Sequence, residues 1–359
     1  MKMEARPIDH NTELLASVII PMRNEARYIG TCLDSVLAND QPASSYEVIV
    51  VDGMSTDASR EIAQDRLARF PRGALLSNPR KVVPSSMNIG IRHSAGRYII
   101  RLDAHAEYPP DYIRCCIEEL ERTGADNVGG SLITRPGGES NSAVSIALLT
   151  QEPAVVGNAA HRTGRERQDA DTVPFGAFRR DVFERVGLFR EDLVRHQDFE
   201  LNARIRAAGG KIVLSRKISS VYYNVSSFSK FMRQAYLNGL WCARAWTRYP
   251  VCFCWRHAAP LVFVAGLITT LALATFVHGA IWLFAAGLLT YMSVALYAGV
   301  RISIQHGMRH LLLAPVLMFS YHFTYGVCTL AGFGVVVFEK IWRTAPVTEL
   351  ARLERRQAT

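Results

Sequence analysis

From Leu201 to Phe338 the chain contains no Asp or Glu, and the apolar runs inside that acid-free stretch leave few folds open. Ala258 to Val300 carries no charge and is broken only by His278-Gly279. A run of that length is about twice what one helix needs to cross a bilayer. A Gly beside a polar residue marks a turn, so the run reads as a helical hairpin. A further apolar stretch, Leu311 to Phe338, is interrupted by Pro315, Tyr321-His322 and Gly326. It is either one long tilted span or a span followed by a short interfacial helix. The competing fold is a buried bundle in a water-soluble protein. Continuous charge-free stretches flanked by Arg and Trp argue against it.

Charge then suggests an orientation. Residues 1–200 hold 24 Lys and Arg against 29 Asp and Glu, so the overall charge of +9 belongs to the second half. Arg244, Arg248 and Arg256 precede the hairpin, and Arg301 and Arg309 follow it. By the positive-inside rule both ends of the hairpin, and the amino-terminal region with them, are expected in the cytoplasm. The tail from Glu339 carries Lys340, Arg343, Arg352, Arg355 and Arg356, which favours an even number of crossings. No cleavable signal peptide is expected, because residues 1–14 are polar and the apolar Ala16 to Met22 run is short. The seven cysteines show no zinc-like spacing and suit a reducing compartment. Basic charge confined to the membrane-flanking half points to anionic lipid and away from nucleic acid.

Residues 16–200 alternate between strand and helix patterns. Ala16 to Pro21 and Tyr46 to Val51 are short apolar strands, and Glu25 to Ala38 has helical spacing. Ser55-Thr-Asp57 offers capping side chains before a helix over Ser59 to Phe70, and Asn88 to Ala95 reads as a short helix. The order predicts an α/β domain with a mainly parallel sheet. Three strands end in polar sets: Arg23-Asn24-Glu25, Asp52 and Asp103-Ala-His105. In a parallel sheet such sets share one edge, where ligands bind.

Asp103 and His105 stand two apart at the end of a strand, so their side chains point the same way and can converge on one cation. A divalent ion with few protein ligands keeps positions open for phosphate oxygens. His161 or His196 could complete the set. Asp52 and Glu25 stand where a nucleobase or ribose would donate hydrogen bonds. The chain has no Gly-x-x-x-x-Gly-Lys-Ser/Thr loop and no Gly-x-Gly-x-x-Gly after a strand, which disfavours ordinary ATPases and dinucleotide enzymes.

Pro21-Met-Arg-Asn-Glu25, Val51-Asp-Gly-Met-Ser-Thr-Asp57, Asn88-Ile-Gly90 with Ala95-Gly-Arg-Tyr98, and Asp103-Ala-His105 together resemble the nucleotide-sugar half of family 2 glycosyltransferases of the GT-A fold. Val173 to Gly187 resembles their acceptor-side segment, and His196-Gln-Asp198 resembles their Glu-Asp motif, with Gln197 in place of Glu. Asp-Ala-His with Tyr108-Pro109, Gln234 to Trp241, and His322 to Gly326 is similar to the succinoglycan-type enzymes that build exopolysaccharide on a lipid carrier. The Gln-x-x-Arg-Trp of processive synthases is missing, which favours single sugar addition.

The resemblance implies an inverting, metal-dependent hexosyltransferase with Asp198 as catalytic base. Pro21, Arg23, Glu25, Asp52, Asn88 and Asp103 would hold a UDP-sugar, with Mn2+ or Mg2+ bound by Asp103 and His105. Gly176, Arg204, Gln234 and Trp241 would face the acceptor, a polyprenyl-diphosphate-linked saccharide. The expected layout is a tail over 1–15, a cytoplasmic GT-A domain over 16–225, an amphipathic interface segment over 226–256, transmembrane helices over 257–338 and a basic tail over 339–359. In the interface segment, Phe228, Phe231, Met232, Tyr236, Leu240 and Trp241 recur at near-helical intervals among Lys230, Arg233 and Arg244, the pattern of a helix lying on the cytoplasmic leaflet of the inner membrane. Two alternatives have the same nucleotide half: a transferase that loads polyprenyl phosphate itself, and a non-catalytic membrane subunit.

Overall fold

The computed structural model describes residues 14–156 and 168–342; residues 1–13, His161 and the tail beyond 342 lie outside the described residues. The strands are β1 (Ala16–Met22), β2 (Tyr46–Asp52), β3 (Gly73–Ser77), β4 (Tyr98–Arg101), β5 (Ala106–Glu107), β6 (Asn127–Arg135), β7 (Gln168–Asp169), β8 (Ala177–Arg179) and β9 (Ile212–Tyr223). Among the described residues they form one sheet in the order β3-β2-β1-β4-β8-β6-β9-β5, with β7 on β9. The first four strands of that order are mutually parallel, as the alternating pattern predicts. Beyond β4 the sheet is mixed: β8 runs antiparallel to β4 and β6, and β6 is parallel to β9.

Helices α1 (Ile29–Leu37), α2 (Ser59–Leu67), α3 (Val83–His93) and α4 (Tyr112–Thr123) connect or flank these strands, followed by α5 (Asn141–Leu149), α6 (Pro153–Val156), α7 (Asp181–Val186) and α8 (Gln197–Ala207). Every residue of β2 is buried, as expected of a strand covered on both faces. Alternation divides the apolar side chains between two cores. Val18, Ile20, Val48, Val50 and Ile100 pack on one face with Leu33 and Leu120; Ile19, Ile49 and Ile99 pack on the other with Met87 and Leu201.

Two helix starts differ from the sequence reading. α1 begins at Ile29, because Asn24 takes a left-handed φ of 54° and the Glu25 carbonyl accepts turn bonds from Tyr28 and Ile29. α3 begins at Val83, five residues ahead of Asn88, with Pro84 in its first turn, where the missing N–H has no cost.

The carboxyl-terminal half is helical: α9 (Phe228–Arg248), α10 (Trp255–Ala274), α11 (Ala280–His306) and α12 (His310–Trp342). The last three are each long and apolar enough to cross a membrane. α10 and α11 form the expected hairpin around His278-Gly279. The stretch left open by the sequence is one continuous helix, which passes through Pro315. Three candidate spans are an odd number, against the even number favoured by the basic tail.

In α9, Phe231, Leu240, Trp241 and Arg244 are buried, and the helix is clamped between α12 and the segment around Leu193 and Ala203. The approach to α12 requires a glycine, since a Cβ on Gly239 would lie 2.4 Å from the Tyr325 carbonyl oxygen. Phe228, Lys230, Arg233 and Tyr236 remain on its exposed side.

Candidate active site

The parallel register aligns Met22 with Asp52 and Ile19 with Arg101, so the loops after β1, β2 and β4 open at one edge of the sheet. The first two loops are tied together by hydrogen bonds. The Asn24 amide donates to Ser55 Oγ at 3.0 Å and the Glu25 amide to Ser59 Oγ at 2.7 Å. Asn24 Oδ1 accepts from the Thr56 amide at 2.8 Å, and Asp57 Oδ2 from the Ala26 amide at 3.2 Å. Burial opposes the Asp57 charge, but the Ser59 and Ala26 donors outweigh it and hold its carboxyl below the ordinary range. Ser55 and Asp57 thus brace one loop against the other, and Asp57 Oδ1 also caps the start of α2 by accepting from the Ser59 amide at 3.1 Å. Asp52, 2% exposed, accepts from the Ser55 amide and hydroxyl at 3.0 and 2.6 Å and from Arg60 at 3.2 Å. Of the roughly four acceptor directions of a carboxylate, one is left for a ligand.

Arg101 is the last residue of β4, and its guanidinium joins two carboxylates that are 95 positions apart in the chain. One nitrogen donates to Asp198 Oδ1; the other lies 3.2 Å from Asp103 Oδ1. Burial works against this charge, but Asp198 and Asp103 more than offset it and raise the guanidinium pKa. Asp198 is in the first turn of α8, where the helix dipole favours a negative charge. The Asp103 amide donates to Tyr108 Oη at 2.8 Å, and that hydroxyl donates back to the Asp103 carbonyl at 3.2 Å. Tyr108 is buried, and the desolvation pushes its pKa up, so it remains a neutral strut.

His105 follows two residues later, with Nδ1 3.2 Å from Glu25 Oε1. Burial opposes the imidazolium, but the hydrogen bond that the ring donates to Glu25 and the charge of Asp103 outweigh it and raise the His105 pKa. Among the described residues no group of three or more His, Cys, Asp or Glu side chains could hold a metal ion. A cation here would rest on two protein ligands, Asp103 and His105, with other positions left to a diphosphate. The carboxylate of Asp103 suits Mn2+ or Mg2+ bound in that way, and the imidazole of His105 suits Mn2+ better than the oxygen-preferring Mg2+.

The remaining predicted residues are placed as follows. Pro21 is within β1, opposite Val51, and Arg23 packs over Gly53. Asn88 is buried and clamps the chain before α8, donating to the Phe189 carbonyl at 2.9 Å and to Glu191 at 2.8 Å. Gly176 precedes β8; its carbonyl accepts from the Arg101 amide at 3.0 Å, and a Cβ on it would meet Asn127 Oδ1 at 2.6 Å. Arg204 grips Glu200 on its own helix and the carbonyls of Gly187 and Leu188. Trp241 is packed with Leu193 and Leu237, and Gln234 is half-buried on α9. His196 points Nε2 at the Asn238 carbonyl, 3.2 Å away, and its pKa is pushed down to about 4 by burial; it is not among the groups around Asp103. Arg101 and Tyr108 were missed as site residues. The signal for Arg101 was a lone charge inside the apolar strand Tyr98-Ile-Ile-Arg-Leu102, two residues before Asp103.

Residues 17–187 match the family described as Glycosyl transferase family 2. The chain is 31% identical over 217 residues to succinoglycan biosynthesis protein ExoA of Rhizobium meliloti, a match covering 60% of this chain and 65% of that protein. It thus spans a little under two thirds of that relative's length. It is 29% identical over 226 residues to the dolichyl N-acetyl-alpha-D-glucosaminyl phosphate 3-beta-D-2,3-diacetamido-2,3-dideoxy-beta-D-glucuronosyltransferase of Methanococcus voltae, covering 61% of this chain and 70% of that one. Among solved structures, the mannosyltransferase PcManGT from Pyrobaculum calidifontis, in complex with GDP-Man and Mn2+, shares the fold with a TM-score of 0.58, at 21% identity over 90% of each chain. Residues 17–187 thus match the family 2 glycosyltransferases, on a mixed GT-A-type sheet whose parallel half carries the polar loops, and three long apolar helices follow.

Proposed function

We propose that this protein is a membrane-bound inverting glycosyltransferase that moves a sugar, glucose in the reading favoured by the succinoglycan-type resemblance, from a UDP-sugar to a lipid-linked saccharide. The observation that carries the reading is the set Asp103–Arg101–Asp198 at the carboxyl edge of the sheet. Asp198, held by Arg101 through Oδ1, has its second oxygen available to take a proton from an acceptor hydroxyl. General-base assistance of this kind contributes about 10² to 10⁴ in rate. Direct displacement inverts the anomeric centre, so an α-linked donor yields a β-linked product. A Mn2+ or Mg2+ ion held by Asp103 and His105 would stabilise the charge that develops on the departing diphosphate.

Three ion pairs support a catalytic domain seated at the membrane surface. Arg248 lies 3.1 Å from Asp192, Arg256 3.0 Å from Asp171 and Arg301 3.8 Å from Glu152. The basic residues flanking the hairpin thus face carboxylates of the sheet domain, which supports both hairpin ends on the domain's side, the cytoplasmic one in this reading. A catalytic edge seated there meets the sugar of a polyprenyl-diphosphate saccharide at headgroup depth. A relative named for a dolichyl-linked sugar phosphate is consistent with such an acceptor.

The test is UDP release by the purified protein in lipid nanodiscs, with a panel of UDP-sugars, Mn2+ or Mg2+ and lipid extract. Turnover with one donor that needs both metal and lipid, and is lost in Asp198→Asn, is expected. A product consisting of polyprenyl phosphate carrying a single sugar would move the assignment to the lipid-phosphate transferase. Absence of nucleotide binding would sink the transferase reading.

A further inference from the structure

We propose that Glu25 is a positioning residue for the cation, setting the tautomer and ring orientation of His105. The inference rests on the reading that Asp103 and His105 hold a divalent ion. It assigns Glu25 a different partner from the nucleobase or ribose suggested by its motif.

The geometry carries the assignment. Glu25 Oε1 lies 3.2 Å from His105 Nδ1. A carboxylate is only an acceptor, so Nδ1 carries the hydrogen and the lone pair of the neutral ring is on Nε2. The ring has a second restraint, since its centroid is 5.2 Å from that of Tyr222, and the His105 carbonyl accepts from the Tyr223 amide at 3.2 Å. Glu25 is itself well held. Its amide donates to Ser59 Oγ, and its carbonyl accepts from the Tyr28 and Ile29 amides at 2.9 Å each. Carboxylate partners of metal-bound imidazoles work in this manner, fixing the tautomer and raising the basicity of the ligating nitrogen. Asp103 has its own partner in Arg101, so each of the two ligands is oriented by a charged neighbour from another point of the fold.

The inference is tested with the full chain in nanodiscs, using Mn2+ electron paramagnetic resonance with UDP and, in parallel, GDP, plus calorimetry of each nucleotide without metal. His105→Ala and Glu25→Ala are each expected to weaken Mn2+ binding about 10- to 100-fold. Combined, they should weaken it no more than His105→Ala alone, and metal-free nucleotide affinity should be unchanged. Glu25→Met, which keeps the side-chain length without a strong acceptor, should reproduce the loss of Mn2+ affinity, whereas Glu25→Gln, whose amide oxygen still accepts from Nδ1, should keep most of it and so guards against a misfolded Ala variant. Additive losses in the double variant, or a nucleotide affinity that falls without metal, would overturn the role of Glu25 while leaving the cation site standing. Mn2+ binding that is the same in wild type and His105→Ala would instead remove the cation reading, and this inference with it.

Discussion

The sheet domain and the helical half are held together by opposite arrangements of the same apolar residue types. In the sheet domain, Ile19 and Ile99 are wholly buried, and apolar strands are covered on both faces. In the helical half, Phe276 is 86% exposed and Ile304 80% exposed. The first region makes its own core. The second leaves much of its apolar surface exposed, and it is joined internally by a smaller cluster around Phe231, Ile302, Leu317 and Met318 and by close backbone approaches at Gly239 and Gly326. Polar chemistry divides in the same way: ion pairs and loop hydrogen bonds converge at the sheet edge, and the helices contribute arginines where they meet the domain.

The comparison can be broken at several points. The largest effect is expected from Asp198→Asn, which should lower turnover about 10²- to 10⁴-fold while the domain stays folded, because Asn keeps the side-chain shape and Arg101 keeps Asp103 as a partner. Next, Ile19→Ala should destabilise the sheet domain by about 2–5 kcal/mol. The matching truncation Ile304→Ala should remain within about 0.5 kcal/mol. Denaturant unfolding in nanodiscs, followed by hydrogen exchange of each region, measures both; equal losses would mean that the helical half has a core like that of the domain.

A smaller effect is expected from Gly239→Val, where the added side chain pushes on the Tyr325 carbonyl and should cost about 1–3 kcal/mol through overpacking. Faster exchange confined to α9 and α12 would be the signature. Arg256→Ala should be smallest, about 0–1 kcal/mol, because its pair with Asp171 is partly exposed. Its effect should shrink further at high salt, which a melting series at two ionic strengths would register.

Much of the fold was legible because it depends on local periodicity. The parallel strands, the polar residues at their ends and the charge-free helices all follow from patterns within a few residues of one another. α3 was read only from Asn88, whereas the helix starts at Val83 with Pro84 in its first turn, where Pro is well tolerated. In α9 the near-helical spacing of aromatic and basic residues marks an apolar and a basic side but not what the apolar side meets; the fold supplies α12 and the chain around Leu193.

The sequence alone determined which residues can end a strand, turn a chain or remain in a bilayer, because these depend on side-chain type and spacing. Tertiary structure decided the pairings: Arg101 with Asp198, Glu25 with His105, and the hairpin arginines with carboxylates of the domain. A charge has many possible partners along a chain, and its choice is made by distance in the folded state, where burial makes an unpaired charge costly and leaves few neighbours to satisfy it.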